Sequence, residues 1–201
     1  MKMNLEPHRE KIVNDLTTQG WTVLDDFFDP ELIVQLALEC CTQHQLGLLK
    51  QAGIGRSDQL VVEKTIRSDQ IRWLETGMSA SGDDYLEQME LLLRYFNRQL
   101  YLGLQDSEQH FAFYPEGAFY QKHLDRFRDE DRRTVSSVLY LNADWRDGDG
   151  GELRLHLEDK VMDIAPLANR YVLFMSAQIV HEVMPSNTSR LSLTGWFKRR
   201  P

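Results

Sequence analysis

HFAFYPEGAFYQKHLD, residues 110–125, decides how the chain is read. Two aromatic and apolar runs, HFAFY (110–114) and FYQKHLD (119–125), have strand character, and Pro115-Glu116-Gly117 between them is a turn. Six more short strand candidates follow at close spacing: TVSSVLYLN (134–142), GELRLHL (151–157), VMDIAP (161–166), RYVLFMS (170–176), HEVMP (181–185) and RLSLTGWF (190–197). Turns at Asp147 to Gly151 and Ser186 to Ser189 punctuate them. Eight such strands predict a sandwich or jelly roll.

Upstream of this block the period is helical. Ile12, Val13 and Leu16 mark an amphipathic helix over 6–19, and WTVLDDFF (21–28) reads as a strand. Asp29-Pro30 is a helix start, with Asp29 as N-cap and Pro30 at the first helical position, and the helix is expected to run to about Leu49. A loop is expected at 51–59 and a strand at 60–66, with Ser79 to Asp83 as a polar loop. Residues 84–103 carry Tyr85, Leu86, Met89, Leu92, Leu93 and Phe96 on one wide face, the stripe of a helix that packs on a sheet. The expectation is therefore α+β: a double-stranded β-helix over 106–201, with supporting helices in 1–105 packed on one sheet, in one domain spanning 1–201.

Composition narrows the function. The 201 residues carry 42% hydrophobic and 27% charged side chains, the values of a globular protein, and a formal net charge of −8. That charge argues against nucleic-acid binding, which needs basic groups to replace phosphate counterions. No apolar run reaches the ~20 residues of a membrane span. The only cysteines, Cys40 and Cys41, are adjacent and suit reduced thiols. With no charged-then-apolar leader, the expected location is the cytoplasm.

The pair at the end of the opening stretch carries the chemistry. On a strand, His123 and Asp125 face one way, and an imidazole and a carboxylate are two thirds of the two-histidine, one-carboxylate triad of Fe(II) oxygenases. The pair alone is weak, since a shuffled chain of this composition would hold about half of one His-x-Asp by chance. His156 and Glu158 form a rival pair at another strand end. The completing residues are His181, before a turn, and Arg190, heading a strand as apolar as LSLTGWF. A guanidinium there suits a carboxylate held by two hydrogen bonds, with Ser192 orienting it.

At this point the second half resembles the prolyl-hydroxylase branch of the 2-oxoglutarate and Fe(II)-dependent dioxygenases, including the hypoxia-inducible-factor prolyl hydroxylases and their bacterial relatives. FAFYPEGAFYQKHLD resembles the family's Tyr-Pro-Gly-x-Gly-x-x-Tyr-x-x-His-x-Asp run, and VLYLN-x-x-W (138–145) and GGELRL (150–155) resemble two more of its strands. His181, with Arg190 nine residues on and Trp196 six beyond, has the family's spacing. RSDQIRWL (67–74) resembles the Arg-Gly-Asp-x-x-x-Trp segment before the barrel.

The resemblance implies that His123, Asp125 and His181 bind Fe(II) and that Arg190 pairs with the distal carboxylate of 2-oxoglutarate. It gives Tyr140 a share of that carboxylate and puts Tyr114 near the metal-chelating end. Trp196, Arg133 and the loop at 51–59 would meet the substrate. The implied reaction consumes O2 and 2-oxoglutarate, releases succinate and CO2, and hydroxylates a prolyl residue on a loop of a protein, with ascorbate as a reductant. Bacterial relatives of this type modify the translation machinery, such as elongation factor Tu. The chain departs from the pattern at Glu116 and Ser68, each in place of a glycine, and in the charged run RFRDEDRR (126–133). These departures bear on the substrate more than on the metal. A jelly roll that binds a ligand without turnover, a non-oxidative zinc enzyme on the same scaffold, and an oxygenase acting on a small molecule or another residue type are the competing readings.

Overall fold

The structure is a computed structural model and describes residues 3–53, 65–125 and 132–200. Most of the strand expected at 60–66, of the loop at 51–59 and of the charged run at 126–133 lies outside the described residues, and Thr65 and Ile66 lie in a turn. The chain opens with a short 3-10 turn (Glu6–His8), then α1 (Arg9–Thr18), β1 (Trp21–Leu24), α2 (Pro30–Gln45), β2 (Lys50–Gln51), β3 (Gln70–Trp73) and α3 (Ala80–Leu100). Eight strands follow: β4 (Leu104–Tyr114), β5 (Tyr120–His123), β6 (Arg133–Tyr140), β7 (Leu153–His156), β8 (Val161–Ile164), β9 (Tyr171–Met175), β10 (Val180–Val183) and β11 (Arg190–Arg199).

Local chemistry sets the ends of these elements. Asp29 caps α2, its side chain accepting from Glu31 N at 2.9 Å, with Pro30 at the first helical position. Such a cap contributes about 1 kcal/mol. The helix stops at Gln45, short of the expected Leu49, because Gly47 takes a left-handed φ of 68°. β1 is half its expected length because Asp26, at φ 53°, turns the chain out of the strand. The polar stretch from Ser79 is the start of α3 rather than a loop: Ser79 Oγ accepts from Gly82 N. Glu39 of α2 in turn accepts from Ser79 Oγ and Ser81 Oγ at 2.5 and 2.7 Å, tying the two helices at that cap.

A seven-stranded sheet in the order β1-β9-β6-β11-β4-β3-β2 faces a four-stranded sheet in the order β5-β10-β7-β8. Every pairing between the named strands is antiparallel. This is the jelly roll that the strand spacing predicts. Residue parity sorts the large sheet. Phe111 and Phe113 of β4, Val135 and Leu139 of β6, Tyr171 and Leu173 of β9 and Leu191, Leu193 and Phe197 of β11 join the core beneath the helices. That core includes Ile12, Leu32, Leu36, Met89, Leu92 and Phe96. Burying each such side chain contributes roughly 1.5–3 kcal/mol, so the apolar stripe of α3 is core rather than a groove. The even-numbered positions, Ala112, Tyr114, Val138, Tyr140, Val172 and Phe174, turn to the small sheet and line a second core. The site lies among them.

Candidate metal and cosubstrate site

Register brings the two histidines together. His123 of β5 and His181 of β10 are paired residues across the small sheet. β5 ends at His123, so Asp125 lies just past the strand, in a bend, and is buried. Each imidazole sets its Nδ1 on a carbonyl two residues earlier in its own strand region: His123 on Gln121 O at 2.6 Å, His181 on Ile179 O at 3.1 Å. A carbonyl only accepts, so both Nδ1 atoms carry the proton and both Nε2 lone pairs are bare. Those Nε2 atoms stand 3.5 and 3.6 Å from Asp125 Oδ1 and Oδ2.

The three ligand atoms lie within 4.8 Å of one another, the only such His/Cys/Asp/Glu group among the described residues. The protonation states also fit a cation. Burial holds His181 down to about 4, so it is neutral at neutral pH. Burial alone would raise the Asp125 carboxyl, but His181, His123 and Ser136 overcome it and hold it well below the ordinary carboxylate range. Two imidazoles and one carboxylate on one side of a space suit a divalent ion with open positions, and the group has no thiolate. His156, the rival ligand, is spent elsewhere: its Nε2 lies 2.9 Å from Glu182 Oε1.

Neighbours fix the triad. Ser136 Oγ donates to Asp125 Oδ2 at 2.7 Å and shares a hydrogen bond with Ser176 Oγ at 2.8 Å. The Tyr120 ring stacks on His123 at 3.7 Å and 17°. Arg67 covers the other ring contact of Tyr120, 4.3 Å from its centroid, and is anchored by Nε and Nη2 on the buried carboxylate of Asp69 at 2.8 and 2.6 Å. Sequence reasoning placed RSDQIRWL before the barrel but gave Arg67, Asp69, Tyr120, Ser136 and Ser176 no role. For Ser136 a signal was present: a serine in the middle of the apolar run VSSVLYL needs a polar partner.

Arg190 is charged yet only 2% exposed. Its Nε donates to Gly151 O at 2.8 Å and its Nη1 to Ser192 Oγ at 3.4 Å. Its guanidinium lies 4.8 Å from the Tyr114 ring centroid and 4.9 Å from that of Tyr140. Tyr114, paired with Arg190 across β4 and β11, thus sits at the arginine as closely as Tyr140 does. Tyr140 Oη is enclosed and, among the described residues, forms no hydrogen bond of ordinary geometry, with the Arg190 guanidinium beside it. A buried guanidinium beside an orphaned phenol is a cradle for a carboxylate.

Both halves open into one cavity of about 810 Å³, lined by His123, Asp125, His181, Arg190, Tyr114 and, at another part of its wall, Arg133, Trp73, Trp196 and His110. Arg133 reaches this wall through a register shift. Between Phe197 and Lys198 the pairing of β11 with β6 slips, so Lys198 faces Arg133 instead of Thr134. That slip moves Arg133 onto the cavity face, where its guanidinium lies 3.5 Å from the Trp196 ring centroid. Glu108 holds it there, accepting from Arg133 Nε and Nη2 at 3.1 and 2.8 Å and from Lys198 Nζ at 2.9 Å.

Comparison with known proteins agrees with this geometry. A sequence model of the 2OG-Fe(II) oxygenase superfamily matches residues 109–198. The chain is 32% identical to mouse (Mus musculus) prolyl hydroxylase EGLN3, over 98% of its own length and 86% of that protein's. It belongs to the 2-oxoglutarate and Fe(II)-dependent oxygenases. Within that family its likeness is to prolyl hydroxylases. A crystal structure of a Pseudomonas putida prolyl-4-hydroxylase is 46% identical and superposes with a TM-score of 0.88, over 96% of this chain and 100% of that one. A Trichoplax adhaerens prolyl hydroxylase in complex with a hypoxia-inducible-factor peptide fragment is 27% identical, with a TM-score of 0.86 over 96% and 90%. Of the first curated relatives that it matches, the chain spans 29% of one and 86% of the next two. The oxygenase is thus an enzyme whose family uses Fe(II), 2-oxoglutarate and O2, on a jelly roll with a His-Asp-His triad. Among the described residues, no helix is long and apolar enough to cross a membrane.

Proposed function

We propose that the chain is one dioxygenase domain that hydroxylates a prolyl residue in a protein, and that His123, Asp125 and His181 hold its Fe(II). The observation that carries the site assignment is the pair of bare Nε2 atoms, each within 3.6 Å of the ionised Asp125 carboxylate. Fe(II) bound there supplies the redox chemistry that divides dioxygen between 2-oxoglutarate, released as succinate and CO2, and the substrate carbon, which gains a hydroxyl.

The chain's own residues do the rest. Arg190 and Tyr140 take the far carboxylate of 2-oxoglutarate, with Tyr114 against the same guanidinium, so the cosubstrate enters with its 2-oxo acid end toward the triad. Gly151 O and Ser192 Oγ keep the guanidinium oriented in the absence of that carboxylate. Arg133 and Trp196 receive the peptide at another wall of the cavity. A protein substrate is supported by the peptide complex of the Trichoplax relative, and a prolyl target by the prolyl-hydroxylase relatives. A component of the translation machinery is the substrate class we favour. Cytoplasmic location is supported by the two free cysteines, of which Cys40 is buried, and ascorbate serves as an external reductant.

Anaerobic addition of Fe(II) and 2-oxoglutarate tests the reading. A weak visible absorption band should form and bleach on admitting oxygen, with succinate released. Mass spectrometry of host proteins with and without the gene should then find a proline that loses one oxygen atom's mass. Absence of the band and of succinate with any peptide pool would sink the oxygenase assignment. Succinate release without any prolyl product would sink the substrate assignment alone.

A further inference from the structure

His110 is a residue that the reaction described so far does not use, and its setting is costly. It occupies the even face of β4, paired with Thr194 of β11 on one side and Trp73 of β3 on the other. Its ring lies 5.4 Å from the Trp196 ring at 23° and 5.0 Å from that of Trp73. The residue is 2% exposed, yet its ring makes no hydrogen bond among the described residues. Nδ1 is enclosed without a partner, and Nε2 is the nitrogen that is not enclosed in a ring lining the cavity. Trp196 Nε1 is enclosed beside it and unpartnered among the described residues.

An unmet buried polar group costs roughly 1–3 kcal/mol, and phenylalanine would fill the same slot between two indoles without that cost. Histidine here therefore lowers stability, and a ligand that meets the ring would offset the loss. The position says which ligand. His110 stands two residues from Glu108, which holds Arg133, and four from Tyr114, which lies against Arg190. It is thus beyond the cosubstrate carboxylate and short of the Arg133–Trp196 stack. Flat indoles on two sides and one uncharged nitrogen match a main-chain amide next to a small ring. A charged partner would not match, because burial and then Arg67 and Arg133 keep the imidazole neutral, with its pKa pushed down to about 3.

We propose that His110 is a specificity-determining residue that hydrogen-bonds through Nε2 to a main-chain amide of the peptide substrate, beside the residue to be hydroxylated. The inference rests on the peptide-substrate reading above. It makes the middle of the wall a reader of backbone, separate from the cation and indole that meet the peptide at Arg133 and Trp196.

The test compares wild type, His110→Phe and His110→Gln as full chains. The probe is a prolyl peptide that wild type oxidises, found by its gain of one oxygen atom from a proline-containing peptide pool. Its Kd is read without turnover, with Mn(II) and 2-oxoglutarate under nitrogen, from quenching of the indole fluorescence. His110→Phe should weaken peptide binding about tenfold, the worth of one hydrogen bond, while 2-oxoglutarate affinity is unchanged and the thermal midpoint is equal or higher. His110→Gln, which can still hydrogen-bond, should keep part of the affinity that Phe loses. A His110→Phe protein that binds peptide within about twofold of wild type overturns the inference. So does one that unfolds, or that loses thermal midpoint and 2-oxoglutarate affinity together, since that is a packing role. A wild type that oxidises no peptide overturns the substrate reading itself, and this inference with it.

Discussion

Ser136 Oγ donates a 2.7 Å hydrogen bond to Asp125 Oδ2, and both side chains are buried. Asp125 lies beyond the end of β5, so no strand ladder holds it; the hydroxyl from the large sheet does. Ser136→Ala should therefore lower Mn(II) or Fe(II) affinity about 10–100-fold, the usual effect of losing a residue that orients a ligand. The stability of the metal-free protein should change little. Titration of Mn(II) followed by electron paramagnetic resonance, with urea unfolding of the metal-free form, separates the two. Unchanged metal affinity would mean that the two imidazoles alone fix the carboxylate.

Arg133 depends on Glu108 in the same way. Glu108 Oε1 takes both Arg133 contacts, and burial notwithstanding, Lys198 and Arg133 hold its carboxyl below the ordinary range. Glu108→Gln should free the guanidinium from the Trp196 face and weaken peptide binding several-fold, on the order of the 1 kcal/mol of a cation–π contact. Affinity for 2-oxoglutarate, bound elsewhere in the cavity, should not move. If both affinities fall alike, Glu108 supports the fold rather than the substrate wall.

Asn169 clamps the start of α2 to the far end of the chain. Its Oδ1 accepts from Phe28 N at 2.9 Å, its Nδ2 donates to Phe28 O at 2.7 Å, and its backbone is left-handed, at φ 61°. Asn169→Ala loses two hydrogen bonds of about 1 kcal/mol each and adds about 1 kcal/mol of backbone strain. A loss of roughly 3 kcal/mol in chemical unfolding is expected, and Asn169→Gly should lose less because it keeps the backbone conformation. Equal losses in the two variants would show that φ contributes nothing.

The buried imidazole at 110 also sets a pH dependence. Its folded pKa lies below the unfolded 6.5, at about 3, for burial first and then Arg67 and Arg133. Above 6.5 neither state binds the proton, so the group has no effect. As pH falls below 6.5 only the unfolded chain is protonated, and stability drops. His181 adds a similar slope in the metal-free protein, since it is lowered to about 4. Between pH 6.5 and 5, His110→Phe should flatten the decline by up to about 1.4 kcal/mol per pH unit. Parallel curves for wild type and variant would contradict a neutral, enclosed His110.

Legibility in the sequence followed periodicity. The large-sheet strands from β4 onward were readable as short apolar runs bounded by turn residues, because both their faces are buried, odd positions against the helices and even positions against the small sheet. The Asp29-Pro30 start of α2 was readable because capping chemistry is local. The start of α3 was not: a serine before Ala-Ser-Gly-Asp-Asp looks like a loop until Glu39, from a distant helix, accepts from Ser79 and Ser81. In the site, His123 and Asp125 were visible as neighbours, and His181 and Arg190 by a turn and by a charge heading an apolar strand, with the family's spacing adding their roles. Arg133 shows a deeper obstacle. Counting by twos from Ser136 puts it on the helix side, and only the slip at Lys198 turns it to the cavity. Glu108 and His110 gave no signal because each acts through partners on other strands.

The regular stretch of ladder between β11 and β4 has a consequence for how this site can vary. From Arg190 opposite Tyr114 to Phe197 opposite Ser107 the pairing runs without interruption, and the first irregularity there falls between Lys198 and Arg199. Tyr114, His110 and Glu108 are therefore graduations on one ruler, with alternate positions about 6.5–7 Å apart along the strand. Changing a graduation, His110 to another side chain for instance, alters what is measured and leaves the rest in place. Changing the ruler's length by one residue rotates every later mark to the helix side. Selectivity here is tunable by substitution and closed to insertion.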